Sequence, residues 1–570
     1  MTRTFFSILG YCFGGLVCTN NLTAQNLINA QIGDLNHFIT ERNQVLYSDF
    51  RHIHTDIKPL LRSHASGYYR GLSKFRDEAD SSNAELAILY RDEEYIIKDN
   101  GAGNSGYLNK KPFLKYFYKN PAKLFEYNSK GFSFSVNPVL NLQTGMQRTA
   151  RGNEFLYTNM RGVQIQGNIS KKIYFYSDIY ETQTIQPDYV SDFITSNNAV
   201  PGAGFYKPFT SRFTPNQNSG VDYLLATGYI SFDVAKFINI QFGNGRNFIG
   251  NGYRSLFLSN FANNYPYLKI NTHYKFFQYQ NIFAELVADH SYIPNTRLPK
   301  KYMTAHYLSV NILKNLNIGV FESVVFGNRG GYEFGYLNPV ILYRAVEQGL
   351  GSPDNVNLGL SAKWHFLKHF SVYGQLILDE FVFNELFRNR NGWWGNKYGV
   401  QVGAKYVDAF KIRDLDLQFE YNSVRPYTYS FIDSSANFTN YNQSLAHPLG
   451  SNFREFLVRA NYRLHNKLFA TGEIFYIQQG LNSLGENWGA NPKLSYTTRV
   501  QEYGNKTLQG IASKTLIFNA SVQYMLVHNL FLGLHYTYRQ QNAPNLQLSN
   551  TNHQLNFAIR YNFVPNANNF

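Results

Sequence analysis

Two of the chain's four tryptophans, Trp393 and Trp394, stand side by side in a run that also holds Arg388, Arg390 and Asn391. Flat indole rings stack on the C–H faces of sugars, and guanidinium or amide groups donate to hydroxyls and carboxylates, so these residue types together suit a glycan contact. The same rings suit anchoring at a membrane–water interface, because a strand is expected to start at Lys397 directly after them. A second set, Arg246, Asn247 and Arg254, is interleaved with Gly245, Gly250 and Gly252. Glycine permits conformations and close approach that other residues resist. The Arg and Asn side chains could read an anionic or hydroxylated ligand, or the loop could fold inward and constrict a pore. It lacks the Lys-Ser/Thr ending of a nucleotide-binding P-loop. Arg329-Gly330-Gly331-Tyr332 carries a weaker version of the same signal.

Other chemistries find less support. Asp379 and Glu380 are adjacent, and neighbours on a strand point to opposite faces, so the two carboxylates would not converge as an acid/base pair. None of the 14 histidines, His306, His365 and His535 among them, has neighbours that identify a catalytic set. No enzymatic activity is expected. Both cysteines, Cys12 and Cys18, fall in the first 25 residues, which leaves the remainder without disulfides or cysteine metal sites; no metal and no cofactor are expected. The net charge of +15 favours polyanionic neighbours such as lipopolysaccharide phosphates or an acidic surface polysaccharide. Equally, these charges could line a hydrated lumen. Nucleic acid is not expected as a partner of an exported chain.

Export is read from residues 1–25, where Arg3, an apolar run from Phe5 to Val17 and the polar stretch ending Leu22-Thr23-Ala24-Gln25 fit a cleaved signal peptide. A lipoprotein cleavage before Cys18 is disfavoured by Val17, where a small residue is wanted. No later apolar run is long enough for a membrane helix. The crossing elements are instead expected to be strands. From Leu555 through Phe557, Ile559 and Tyr561 to Phe563 every second residue is apolar, with Asn556, Ala558, Arg560 and Asn562 between them. That period of two puts one face in an apolar medium and the other against polar groups. Asp414, Asp416, Gln418, Glu420 and Asn422 likewise share one face that must meet water, either as an eyelet with Lys397 and Lys405 or as paired charges in a filled lumen.

From Phe132 onward roughly eighteen such segments of about 8 to 14 residues follow one another, mostly as hairpins, a length suited to tilted membrane crossing. Short turns alternate with long links near 184–220, 243–264, 327–354, 383–395, 425–452 and 479–514. The expected fold is therefore all-β: an antiparallel transmembrane β-barrel over 131–570, with both termini periplasmic and the long loops extracellular. Residues 26–130 are expected to form a helical periplasmic or plug segment. There Ile28, Ile32, Leu35 and Ile39 recur at helical spacing, and Leu46, Phe50, Ile53 and Ile57 continue it until Pro59.

Three segments carry a family likeness. Gly243 to Asn260 followed by Pro266, Leu378-Asp379-Glu380-Phe381, and His447-Pro448-Leu449-Gly450 running into the strand from Phe453 together resemble the Wzi capsule-assembly family, most closely its RemB-like members linked to gliding motility. The resemblance spans most of 130–564. It implies an eighteen-stranded outer-membrane barrel that attaches surface polysaccharide as a lectin, or one that serves surface adhesion and gliding. Rival readings are a porin-like or gated channel, and an accessory subunit whose partners are gliding or type IX secretion machinery proteins.

Overall fold

The computed structural model describes residues 29, 32–33, 35–47, 53–61, 123–129, 131–170, 172–210, 219–288, 297–351, 354–380, 382–465, 467–527, 529–546, 548–564 and 570. The expected signal peptide, and residues 62–122 of the expected plug segment, lie outside these residues. Eighteen antiparallel strands close into a barrel. The first nine are β1 (Phe132–Thr149), β2 (Gly152–Ile169), β3 (Ile173–Ile185), β4 (Ser219–Ala235), β5 (Ile238–Gly245), β6 (Tyr265–Tyr274), β7 (Phe277–Val287), β8 (Lys300–Leu313) and β9 (Leu316–Gly327). The second nine are β10 (Asn355–Phe366), β11 (Phe370–Glu380), β12 (Lys397–Tyr406), β13 (Leu415–Val424), β14 (Phe453–His465), β15 (Leu468–Leu481), β16 (Ile511–Val527), β17 (Leu530–Ala543) and β18 (Leu548–Tyr561). Each pairs with its neighbour in sequence, and β18 closes on β1 from His553↔Arg148 to Tyr561↔Leu140. Short turns gather at one end of the cylinder, the turn end. The long links 186–218, 246–264, 328–354, 381–396, 425–452 and 482–510 gather at the other, the loop end, together with 288–299, a link absent from the sequence reading.

Alternation decides which side chain meets which medium. On β13, Asp416, Gln418, Glu420 and Asn422 are buried in the lumen while Phe419 is exposed outside. On β18, Leu555 and Phe557 face outward and Gln554 and Ala558 inward. The row stops at Tyr561: Asn562 takes a positive φ, and Phe563 packs edge-on against Tyr180 at 5.6 Å instead of extending the outer face. Around the turn end an aromatic series crosses three strands. Trp364 stacks on Phe366 at 4.9 Å, Phe366 on Phe370 at 5.6 Å, and Phe370 on Tyr406 at 4.3 Å. Amphipathic rings in a belt around an apolar wall mark a membrane interface.

The lumen is filled from both ends. Helix α1 (Leu35–Tyr47) sits near the turn end, where Arg42 forms ion pairs with Asp408, Asp414 and Asp416. Beside it Glu41 meets Lys405 at 2.6 Å and Lys58 at 2.7 Å. The helical spacing does not continue to Pro59. Residues 53–61 are not helical: they turn at 55–56, and Ile57–Lys58 then pair antiparallel with Phe248–Ile249, because a ladder with the glycine-rich link satisfies backbone groups that water cannot reach there. From the loop end, link 246–264 inserts Leu256, Phe257 and Leu258, all fully buried. Phe257 stacks on Phe321 of β9 at 4.9 Å and 3°. A Cβ at Gly359 would lie 2.5 Å from the Phe257 ring, so β10 needs glycine opposite it. Each of these side chains gains about 1.5–3 kcal/mol from burial, which contributes to holding the link inside. Between α1 and the wall of β13–β18 and β1–β2 a cavity of about 730 Å³ is lined by Arg459, Arg463, Arg560, Asn461 and Gln523.

Candidate functional site

Three long links meet at the loop end. In 381–396 a helical turn over Asn384–Asn389 ends on Arg390 in the left-handed region, and Gly392 follows with φ +73°. These reversals lay the segment against 482–510. Asn391 and Gly392 carbonyls each accept a backbone N–H, from Gly504 and Asn505, at 2.8 Å, and Trp394 donates its backbone N–H to Glu502 at 2.9 Å. Trp394 is then boxed. Tyr496 lies 4.6 Å from its ring, Tyr427 meets it edge-on at 6.4 Å, and the Arg499 guanidinium sits 4.3 Å over it. Lys397 caps the Tyr496 ring at 4.8 Å. Burial pushes the Tyr496 phenol up to about 12, with Glu380 and Asp379 adding to it, so it stays neutral and able to donate.

Trp393 is half-buried beside Trp394 at 5.6 Å. Arg388, Arg390 and Asn391 are exposed on the same link. Among the described residues neither arginine has an ion pair, and Arg390 donates only to the Phe387 carbonyl, at 3.1 Å. The five residues named from sequence therefore lie on one link at the loop end: two partly buried indoles, with Arg388, Arg390 and Asn391 exposed. Tyr427, Tyr496 and Arg499 complete the box from distant links. Their spacing in sequence carries no sign of it.

The other three lie deeper. Arg246 donates to the carbonyls of Gly202 and Asn260, and burial lowers its guanidinium below the ordinary arginine value. Asn247 is fully buried, accepting from Lys269 at 3.1 Å and donating to Tyr265 at 3.3 Å. Arg254 makes a two-pronged contact with Glu455, at 2.9 and 3.3 Å. Burial opposes the Arg254 charge, but Glu455 outweighs it and holds the guanidinium above its usual value. Glu455 Oε2, which takes the Arg254 Nε prong, also accepts from His447 at 2.8 Å and Asn422 at 3.0 Å. Leu449 N–H donates to His447 Nδ1, which leaves the proton on Nε2 to face Glu455. Burial lowers the His447 pKa despite that carboxylate.

Beneath Arg254, Glu420 accepts the backbone N–H groups of Tyr253 and Arg254 at 2.8 and 3.1 Å, and the Tyr373 hydroxyl at 2.8 Å. A Cβ at Gly252 would come within 2.4 Å of that carboxylate, which is why glycine stands there. Tyr429 accepts nothing from solvent: its N–H reaches Asp379 at 2.6 Å and its hydroxyl the Leu256 carbonyl at 2.7 Å. Lys397 is buried against Asp379 at 3.1 Å. The three segments that carried the family likeness thus converge on one network that seats link 246–264 in the barrel mouth. Asp414, Asp416, Glu420, Lys397 and Lys405 find their partners on the plug and links, not as an open eyelet. Among the described residues no cluster of His, Asp, Glu or Cys could hold a metal ion.

Comparison with known proteins agrees with this architecture. The family profile described as capsule assembly protein Wzi matches residues 177–556. Among solved structures, Wzi from Escherichia coli, described as an outer membrane protein involved in group 1 capsule assembly and a carbohydrate-binding β-barrel, aligns with 94% of this chain and 99% of its own. The TM-score is 0.52 at 11% identity. OprD from Pseudomonas aeruginosa aligns with 75% of this chain and 96% of its own, at a TM-score of 0.39 and 10% identity. Among curated proteins no sequence match is found. With the match running from β3 to β18, across every segment of the mouth network, the chain belongs to the Wzi capsule-assembly family.

Proposed function

We propose that this protein is an outer-membrane barrel that holds polysaccharide at the cell surface, with the loop end extracellular and both ends of the exported chain starting from the periplasmic side. The observation that carries the reading is the loop-end link that holds paired Trp393 and Trp394 together with exposed Arg388, Arg390 and Asn391. Family membership and the carbohydrate binding described for the Escherichia coli Wzi barrel support it. The mechanism is adsorption. A repeating acidic polymer touches several links at once, and weak sugar contacts add through avidity, while the excess positive charge draws it in. The double occupation of the lumen, by residues 35–47 and 53–61 and by link 246–264, favours an anchor over a conduit. The RemB-like likeness would place the same link in adhesion or gliding, with machinery proteins as partners.

The test replaces both indoles, Trp393→Ala and Trp394→Ala, and measures retention of polysaccharide extracted from the source cells, with heat-modifiability on gels reporting barrel assembly. Retention should fall by about 10-fold or more, since losing one stacked ring costs about 1 kcal/mol or more. Unchanged retention by an assembled barrel removes this link from the function.

A further inference from the structure

Strands β7 to β10 carry polar groups on the wrong side. In β9, Asn317, Phe321, Ser323 and Val325 belong to the lumenal row, so Glu322 between them points outward; its registered neighbours are His306 on β8 and Leu358 on β10. Leu358, Leu360 and Val320 on the same outer face are exposed apolar side chains. Glu322 stands six positions from Leu316 at the strand's turn end, about 15 Å up the wall at ~2.5 Å per residue for a tilted strand, within a hydrocarbon band ~25 Å tall. A carboxylate there is costly unless it is fully partnered.

It is fully partnered, by a link that comes down the outside of the barrel. Glu322 accepts the backbone N–H groups of Tyr343 and Arg344 at 3.0 and 3.1 Å, the first amides of helix α2 (Tyr343–Leu350). His306 lies 2.8 Å from Glu322 and stacks on the Tyr343 ring at 4.5 Å. The His306 Nδ1 atom is 2.9 Å from the Tyr279 hydroxyl, which donates to the Pro339 carbonyl at 2.6 Å. Higher up, Tyr302, Val324, Phe326 and Val356 on the outer wall pack under Tyr336 and Tyr343, and Arg329 reaches Asp354 at 2.9 Å to tie the two ends of the link. On the far side of this hairpin Phe334 is 84% exposed, Val340 81% and Leu342 66%. Arg344 on α2 pairs with Glu347 at 2.5 Å.

Irregular backbone survives at membrane depth only where protein satisfies its polar groups. Here outward-facing Glu322, His306 and Tyr279 supply that satisfaction, and the link leaves apolar Phe334, Val340 and Leu342 exposed. We propose that residues 328–351 form a re-entrant hairpin lying in the lipid of the membrane against β7–β10, with Glu322 and His306 as its clasp and acyl chains as the occupant of its outer face.

Beyond Cys18 the chain has no cysteine, so a single introduced thiol reports alone. Val340→Cys and Phe334→Cys, each labelled with bimane in the full barrel reconstituted in phosphatidylcholine vesicles, should be quenched by lipid carrying a doxyl group on its acyl chain. Leu484→Cys, at a fully exposed loop position, serves as the aqueous control and should not be. A membrane-impermeant maleimide should label Val340→Cys at least about 10-fold more slowly than Leu484→Cys, as expected for a site in hydrocarbon. Equal labelling rates, or protection without lipid quenching, overturn the proposal. Adding Glu322→Ala or His306→Gln to Val340→Cys should speed labelling; unchanged rates in both assembled variants remove the clasp.

Discussion

Acid should loosen the N-terminal plug through His54. This ring is buried where residues 53–61 cross the lumen; Nδ1 lies 2.7 Å from Ser309 Oγ, and Nε2 accepts from Asn311 Nδ2 at 3.3 Å. Asn317 also donates to Ser309 Oγ at 2.8 Å, so the neutral tautomer with its proton on Nδ1 satisfies every partner, and a second proton on Nε2 would face the Asn311 amide donor. Burial, opposed by Asp56 and reinforced by His273 and Lys363, lowers the His54 pKa from 6.5 to about 3. A released plug would titrate near 6.5, so between that pH and about 3 the released state takes up a proton that the docked state refuses. Docking is therefore strongest above the ordinary histidine range and weakens by about 1.4 kcal/mol per pH unit as pH falls, to a limit of about 5 kcal/mol. Down to about pH 5 the loss is roughly 2 kcal/mol, or about 30-fold in the docking equilibrium. The carboxyl of Glu41, which burial raises but Lys405 and Lys58 hold well below its usual 4.5, adds a loss in the same direction only at lower pH. Hydrogen exchange of peptides spanning 53–61, with intrinsic rates divided out, reads this docking directly. Protection should fall by about 30-fold over that interval in the native protein and stay nearly flat in His54→Gln, whose amide can keep both bonds without titrating. An identical slope in His54→Gln would refute the assignment and turn attention to His365, which faces the Gln44 carbonyl at 3.1 Å.

Arg42→Ala should free α1, because it strands the carboxylates of Asp408 and Asp416 that the guanidinium now pairs; removing one partner of such a buried set costs about 3–5 kcal/mol. Openings in planar bilayers, absent in the native protein, would report it, and continued silence with an unchanged proteolysis pattern would count against it. Arg254→Ala should lower the unfolding temperature of the assembled barrel on heat-modifiability gels, since Glu455 and His447 are wholly buried and lose their cation at a similar cost of about 3–5 kcal/mol. Arg254→Lys should recover only part, as lysine cannot make the two-pronged contact.

What could be read from the chain followed the range of the physics. The barrel comes from a period of two, a local property, so the polar row of β13 and the outward row of β18 as far as Tyr561 were legible residue by residue, as were the long links that end at Asn396 and Asn452. Helix α1 was legible for the same reason, but the spacing of Ile53 and Ile57 imitated its continuation. There the deciding partner, Phe248–Ile249, lies some two hundred residues away. Site residues followed the same division. Trp393 and Trp394 are adjacent in sequence and pair in space, whereas Tyr427, Tyr496 and Arg499 reach Trp394 from other links.

Composition also could not separate a polar residue that meets water from one that meets backbone. Asp416 and Glu420 sit on the lumenal row, where alternation places polar groups, yet neither lines an open pore: one neutralises Arg42 and the other accepts the amides of Tyr253 and Arg254. Glu322 breaks the alternation altogether, and in a single strand it reads as an error of register. Its two amide donors and His306 supply a reason for it. In a barrel wall, then, the position that violates the dyad pattern is the one to follow, because in a medium without water only a covering segment can make such a residue tolerable.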